Sequence, residues 1–259
     1  MQTAKQKLKR AAPWLFLLLV LAGLAAVRGL AANYETGYEI MNGDFQNYNP
    51  VRHLLAGQIP YRDFTVYLGA GELYSVGGLL LVLGNSFGRS MFATNFCTWF
   101  YFELLVLAVC LVVIGTARAA RAAALALCSV FFAYVQGANL PFAGQVNTLL
   151  SYAAANGNSA RMMRSAALTL AVLVILLGLH FWQRDTSRRL LAPAVLVPFA
   201  AGFFVPWSND MGGAAYISIA LGYGLYLIRL YRSSIGKIVV QTLRYIVTSV
   251  VGLGVSVLL

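Results

Sequence analysis

Apolar residues in this chain come in long unbroken runs rather than in strict alternation. Seven of them, at about residues 12–32, 90–115, 119–136, 165–182, 190–206, 213–229 and 238–259, are close to the ~20 residues a helix needs to cross a hydrocarbon core of roughly 30 Å. Backbone inside lipid has to satisfy its own hydrogen bonds, which leaves helices or a closed barrel, and continuous runs favour helices. An eighth stretch, about 66–84, differs. It carries Glu72 near its start and the glycines Gly69, Gly71, Gly77, Gly78 and Gly84, each weakening a helix by up to ~1 kcal/mol relative to Ala.

Composition agrees with a chain that lives in lipid. Of 259 residues, 60% are hydrophobic and 10% charged, and the mean hydropathy is +0.73. An ordinary soluble domain carries roughly a quarter charged residues. The net charge of +11 resides in short clusters between apolar runs, the pattern of cytoplasmic loops and not of a nucleic-acid surface. If the N-terminus, with Lys5, Lys7, Lys9 and Arg10, is cytoplasmic and 66–84 does not cross, the clusters Arg118/Arg121, Arg184/Arg188/Arg189 and Arg229/Arg232/Lys237 all face the cytoplasm. If 66–84 crosses, every one of them moves outside.

The expected fold is therefore all-α, a polytopic membrane helix bundle of about seven spans with interfacial helices in the first outer loop. It forms a single integral membrane module over 1–259, with a first span at 12–32, an outer loop at 33–89 and six further spans in 90–259. The expected location is the plasma (inner) membrane. The first run is read as a retained helix, a cleaved signal peptide being the alternative. The last run reaches Leu259 without a polar tail, which reads as an N-terminal fragment of a longer protein, with a short membrane protein as the alternative. Cys97, Cys110 and Cys128 lie in apolar runs without metal or redox spacing, and His53 and His180 are far apart.

The longest polar interruption, Asn33 to Glu72, gathers five of the eight acidic residues: Glu35, Glu39, Asp44, Asp63 and Glu72. Within it, Pro50 suits a first helical turn, and Val51, Leu54 and Leu55 recur at helical spacing before Gly57. A short amphipathic helix on the outer membrane surface follows, with Asp44 just upstream and Pro60-Tyr61-Arg62-Asp63 after the turn.

This arrangement resembles the first outer loop of the GT-C glycosyltransferases, including the protein mannosyltransferase and aminoarabinose transferase families. Their pattern is an acidic residue just after the first membrane helix, a Tyr a few residues on, an interfacial helix and a Gly-x-x-Pro-Tyr-like turn. Here those elements are Asp44, Tyr48, the helix after Pro50 and Gly57 to Tyr61, with Leu79–Gly84 and Asn85-Ser86-Phe87-Gly88-Arg89 as the apolar ending. Gly144-Gln145-Val146-Asn147 is similar to a motif of the polyprenyl-phosphate-mannose-using branch. The resemblance covers roughly the first 160 residues. It implies sugar transfer from a polyprenyl-phosphate donor to an acceptor on the outer face, with membrane lipid as the surroundings. The alternative is a non-catalytic polytopic protein that binds or transports lipid-linked saccharides; a purely structural subunit is a third reading.

On that implication Asp44 is the general base, because an alcohol acceptor is a weak nucleophile at neutral pH. Tyr48, Arg52, Tyr61, Arg62, Asp63, Gln145, Asn147, Arg161 and Arg164 are the substrate-binding candidates, the arginines suiting a lipid phosphate. Each also has a plainer reading: Asp44 as a helix cap, Asp63 as a salt bridge to Arg62 or a turn cap, the arginines as residues snorkelling to headgroups. Metal use stays open, since Phe45 follows Asp44 and no second acidic ligand stands beside it; a divalent ion is not assigned. Glu103 lies in the middle of a span and should face protein or a water-filled cavity, with Arg28 or Arg244 as partner or as a protonated acid. Trp207 fits an interfacial anchor, and Asp210 either closes the site or caps a helix.

Overall fold

The computed structural model describes residues 4–35, 42–66, 68–115, 118–135, 191–209 and 211–258. All regular elements among them are helical. In chain order they are α1 (Ala4–Glu35), α2 (Asn42–Leu55), α3 (Ala70–Leu83), α4 (Phe87–Ile114), α5 (Ala119–Val135), α6 (Leu191–Phe203), a single 3₁₀ turn at Val205–Trp207, α7 (Met211–Leu230) and α8 (Ile235–Leu258).

Four helices are long and apolar enough to cross a membrane: Ala12–Leu30 within α1, Phe87–Leu111 within α4, α7 and α8. Each coincides with an expected run. Two more of those runs form helices whose apolar parts are shorter, Ala119–Phe131 and Val195–Trp207, and 165–182 lies outside the described residues. The ambiguous stretch becomes α3, whose 14 residues rise about 21 Å, less than the hydrocarbon thickness.

The chain divides into two compact units. The first takes 1–58 and 75–162, the second 59–74 and 163–259, so α3 contributes its first turn to the second unit and the rest to the first.

In the first unit α4 is central. Leu17, Leu21 and Ala25 of α1, spaced by four, are buried; Leu17 and Leu21 cluster with Leu107 and Cys110 of α4 and Ala122 and Ala126 of α5, and Ala25 with Trp99 and Phe102 of α4. Close approach needs small residues: a Cβ at Gly29 would stand 2.9 Å from Phe92 Cδ2. The opposite side of α1 presents Phe16, Leu19, Val27 and Leu30 outward, the arrangement expected of a helix in apolar solvent. Glu103 is fully buried and lies one turn beyond Trp99 on the same helix face, while the Arg28 guanidinium stacks over Trp99 at 4.5 Å from the ring centre. The mid-span carboxylate thus faces protein.

In the second unit α6 and α8 come into backbone contact, since a Cβ at Gly202 would collide with the Ser249 carbonyl oxygen and one at Gly252 with that of Phe199. Packing through small residues is how helices associate where burial from water supplies no drive. Val197, Ala201, Ala215, Ile219 and Tyr245 form the core around this contact.

Candidate functional site

The candidate residues fall into two clusters, one in each unit. The first is built on α2. The sequence pattern starts this helix at Pro50, but the structure starts it at Asn42 and leaves Pro50 in its interior. Asn42, Gly43, Asp44, Asn47 and Asn49 have little helical preference. Packing overrides it: Phe45 stacks on Phe87 with ring centres 5.0 Å apart, and Tyr48 meets the same ring edge-on at 5.8 Å. On the same helix, Asn47 and Val51 are buried, and Gly77 of α3 leaves room for Leu54 and Val51. Gly57, at φ +83°, ends the helix in the left-handed conformation that glycine adopts without strain.

The longer helix has a geometric consequence. Asp44 sits in its first turn, and Asp44, Tyr48 and Arg52 now recur every fourth residue along one side. Tyr48 Oη donates to Asn85 Oδ1 at 3.0 Å, which fixes the middle of that row against the segment before α4. Arg52 is exposed and donates from Nη2 to Asn49 Oδ1 at 3.2 Å; no carboxylate pairs with it among the described residues. His53 Nδ1 is bonded to Gln58 Oε1, across the helix end.

The segment Asn85–Arg89, which follows Leu79–Gly84 at the expected close of the apolar interfacial run, leads from the end of α3 into α4, whose first residue is Phe87. Ser86 is its N-cap, accepting from the Arg89 amide, and Gly84, at φ +92°, turns the chain between α3 and α4. A Cβ at Gly84 would run into the Arg89 guanidinium, so Arg89 folds back over the turn.

The second cluster is the turn 59–66. Asp63 accepts from the Ile59 amide at 2.8 Å and from Arg62 Nε and Nη2, both at 2.9 Å. These are the salt bridge and turn cap that stand as its plainer reading. The hydrogen bond from Arg62, and then that from the Ile59 amide, hold the Asp63 carboxyl down at about 2. The same bond raises the Arg62 guanidinium. Tyr61 has φ +62°, uncommon for a residue with a bulky side chain. Its hydroxyl donates to Asn209 Oδ1 at 3.1 Å, and Asn209 Nδ2 donates to the Val66 carbonyl at 2.7 Å. Partial burial pushes the Tyr61 phenol up, partly offset by the bond to Asn209.

Below this clasp the chain packs tightly. Gly69, at φ +106°, would place a Cβ 2.6 Å from Ser208 Cα, and a Cβ at Gly71 would strike the Trp207 indole. Trp207, expected as an interfacial anchor, is half-buried against Gly71 and edge-on to Phe204 at 5.4 Å. The cap of α7 falls to Ser208, whose Oγ accepts from the Met211 amide at 3.3 Å; Asp210 lies outside the described residues. So do Gln145, Asn147, Arg161 and Arg164.

Asn85 and Asn209 are the residues that sequence reasoning passed over as partners. They bond to Tyr48 and Tyr61 across 37 and 148 positions of chain, and no local pattern announces a contact of that range. Among the described residues no group of three or more His, Cys, Asp or Glu side chains stands ready to hold a metal ion. No protein-family model, curated protein or solved structure matches this chain.

Proposed function

We propose that this is a membrane glycosyltransferase that moves a sugar from a polyprenyl-phosphate donor to an acceptor hydroxyl on the outer face of an inner membrane. The reading includes about seven spans with the N-terminus in the cytoplasm, and α2 and α3 in the first outer loop as non-spanning elements. The observation that carries it is the row Asp44, Tyr48, Arg52 along one side of α2, tied down by the Tyr48–Asn85 bond. A carboxylate and a cation two turns apart suit an acceptor hydroxyl at one end and a departing lipid phosphate at the other. Asp63 is already engaged by Arg62 and the Ile59 amide, which favours Asp44 over it as the base.

The reaction is an inverting displacement. The acceptor oxygen attacks the anomeric carbon, the bond from that carbon to the phosphate oxygen breaks, Asp44 takes the hydroxyl proton, and the phosphate leaves on the lipid. Arg52 stabilises the charge that develops there. Replacing Asp44 by Asn keeps the size and one acceptor oxygen but removes basicity. Turnover of a polyprenyl-phosphate sugar by the intact protein should then fall by about two to four orders of magnitude, with expression and donor binding little changed. Near-normal turnover would sink the assignment and leave position 44 as an ordinary first-turn residue of α2.

A further inference from the structure

One sequence feature takes no part in that reaction. α8 is an apolar helix with a polar stripe, Lys237, Gln241, Arg244, Tyr245, Thr248 and Ser249, at helical spacing, its other polar residues being Thr242 and Ser256. Its other side, Val239, Val240, Leu243, Ile246 and Val247, is exposed and suits acyl chains. Ser249 is closed within the fold, donating to the Ile246 carbonyl and sharing a hydrogen bond with Tyr216 Oη at 3.0 Å. The rung above it is unsatisfied. Tyr245 is 5% exposed, and neither its hydroxyl nor Gln241 Oε1, both buried, has a hydrogen-bond partner among the described residues. A buried hydroxyl left without a partner is costly, more so in hydrocarbon.

Charge points the same way. Residues 211–259 contain Arg229, Arg232, Lys237 and Arg244 and no acidic residue. Topology accounts for the first three, which flank the turn between α7 and α8. It does not require Arg244, seven residues and about 10 Å deeper along α8 than Lys237. A helical side chain of that length leans back toward the helix N-terminus, along the side of α8 that carries Lys237 two turns earlier. Lys237 itself stands 5.9 Å over the Tyr231 ring. Cations at the mouth, with a buried, unsatisfied hydroxyl and amide oxygen behind them, describe a receptor for a group that is anionic in front and bears a donor of its own.

We infer that the α7–α8 hairpin binds an anionic phospholipid whose headgroup carries hydroxyls. Lys237 and Arg244 hold the phosphodiester, Gln241 Oε1 accepts from a headgroup hydroxyl, and the Tyr245 hydroxyl donates to an oxygen of the same headgroup. The site is independent of the transferase reading, since it uses none of its residues.

The test uses the full chain in nanodiscs of phosphatidylcholine alone, or with phosphatidylglycerol or phosphatidylmethanol added. The two additives have equal charge, but only phosphatidylglycerol has headgroup hydroxyls. Bound lipid stabilises the folded state by mass action, so the Tm of the wild type should rise by several degrees with phosphatidylglycerol and by less with phosphatidylmethanol. Arg244→Gln should abolish both rises, Gln241→Leu/Tyr245→Phe should make them equal, and the control Arg118→Gln/Arg121→Gln should keep the wild-type pattern. Native mass spectrometry of the wild type in a mixture of the two anionic lipids reads the same preference without any variant. Equal retention of the two lipids, or an undiminished rise in Arg244→Gln, overturns the site.

Discussion

Tyr61 and Asn209 are hydrogen-bonded at 3.1 Å across 148 positions of chain, and the tyrosine so anchored has φ +62°, in a turn also closed by its own amide on the Phe64 carbonyl. Asn209 also satisfies the Val66 carbonyl, so one amide side chain secures both ends of the segment 61–66. Such strain persists where the surroundings over-determine it.

The clasp predicts an unequal pair of variants. Tyr61→Phe removes one hydrogen bond from a partly exposed group and should lower stability by about 1 kcal/mol. Asn209→Ala removes two and leaves the Val66 carbonyl unanswered, for about 2 kcal/mol or more. Thermal unfolding in one detergent, with proteolysis near Arg62 as the local probe, checks the order. A larger loss from Tyr61→Phe would refute the clasp.

Asp63 gives a pH signature. Its folded pKa of about 2 lies below the ordinary 3.8, so the carboxylate contributes stability above the unfolded value, and that contribution disappears as pH falls through about 2. Asp63→Asn should therefore be less stable than wild type at neutral pH, and the gap should close between about pH 4 and pH 2. A gap that stays constant across that window would mean the Arg62 pair contributes nothing.

The contact between α6 and α8 predicts opposite results for three glycines. Gly202→Ala and Gly252→Ala force a methyl group onto a facing carbonyl and should each broaden or lower the unfolding transition markedly. Gly254 has open space around its position, so Gly254→Ala should be neutral or gain roughly 0.5–1 kcal/mol from helix propensity. Equal tolerance at all three positions would remove the close approach.

Topology has its own test. Asn85 and Arg118 flank α4. Single cysteines there, in a background without Cys97, Cys110 and Cys128, should react from opposite sides, Asn85 from outside and Arg118 from the cytoplasm. Labelling of Arg118 from outside would overturn the proposed seven-span arrangement.

Long apolar runs carried the spans, because a helix in lipid needs only length and hydrophobicity, and α7 and α8 lie close to where the pattern puts them. The start of α2 was not legible. Its first residues favour turns, and they become helical through Phe45 and Tyr48 packing on Phe87, a contact that hydrophobic periodicity does not encode. The pairing of Arg62 with Asp63 could be read from adjacency. The reach of Tyr61 to Asn209 could not. The polar stripe of α8 is visible in the sequence as Gln241, Arg244, Tyr245, Thr248 and Ser249 at helical spacing within an apolar run, although what it faces emerges only from the fold.

Glu103 has a consequence for how the protein is made. A span with a carboxylate at its middle partitions poorly into lipid on its own, by at least ~2.5 kcal/mol, and α4 carries one that is fully covered in the finished fold. α1 packs on the neighbouring residues of α4, through Ala25 beside Trp99 and Phe102 and through Arg28 over Trp99. Ribosomes synthesise α1 first. When α4 emerges, the helix that packs on the residues flanking its acid is already made, so the two can enter the lipid as a pair instead of one at a time.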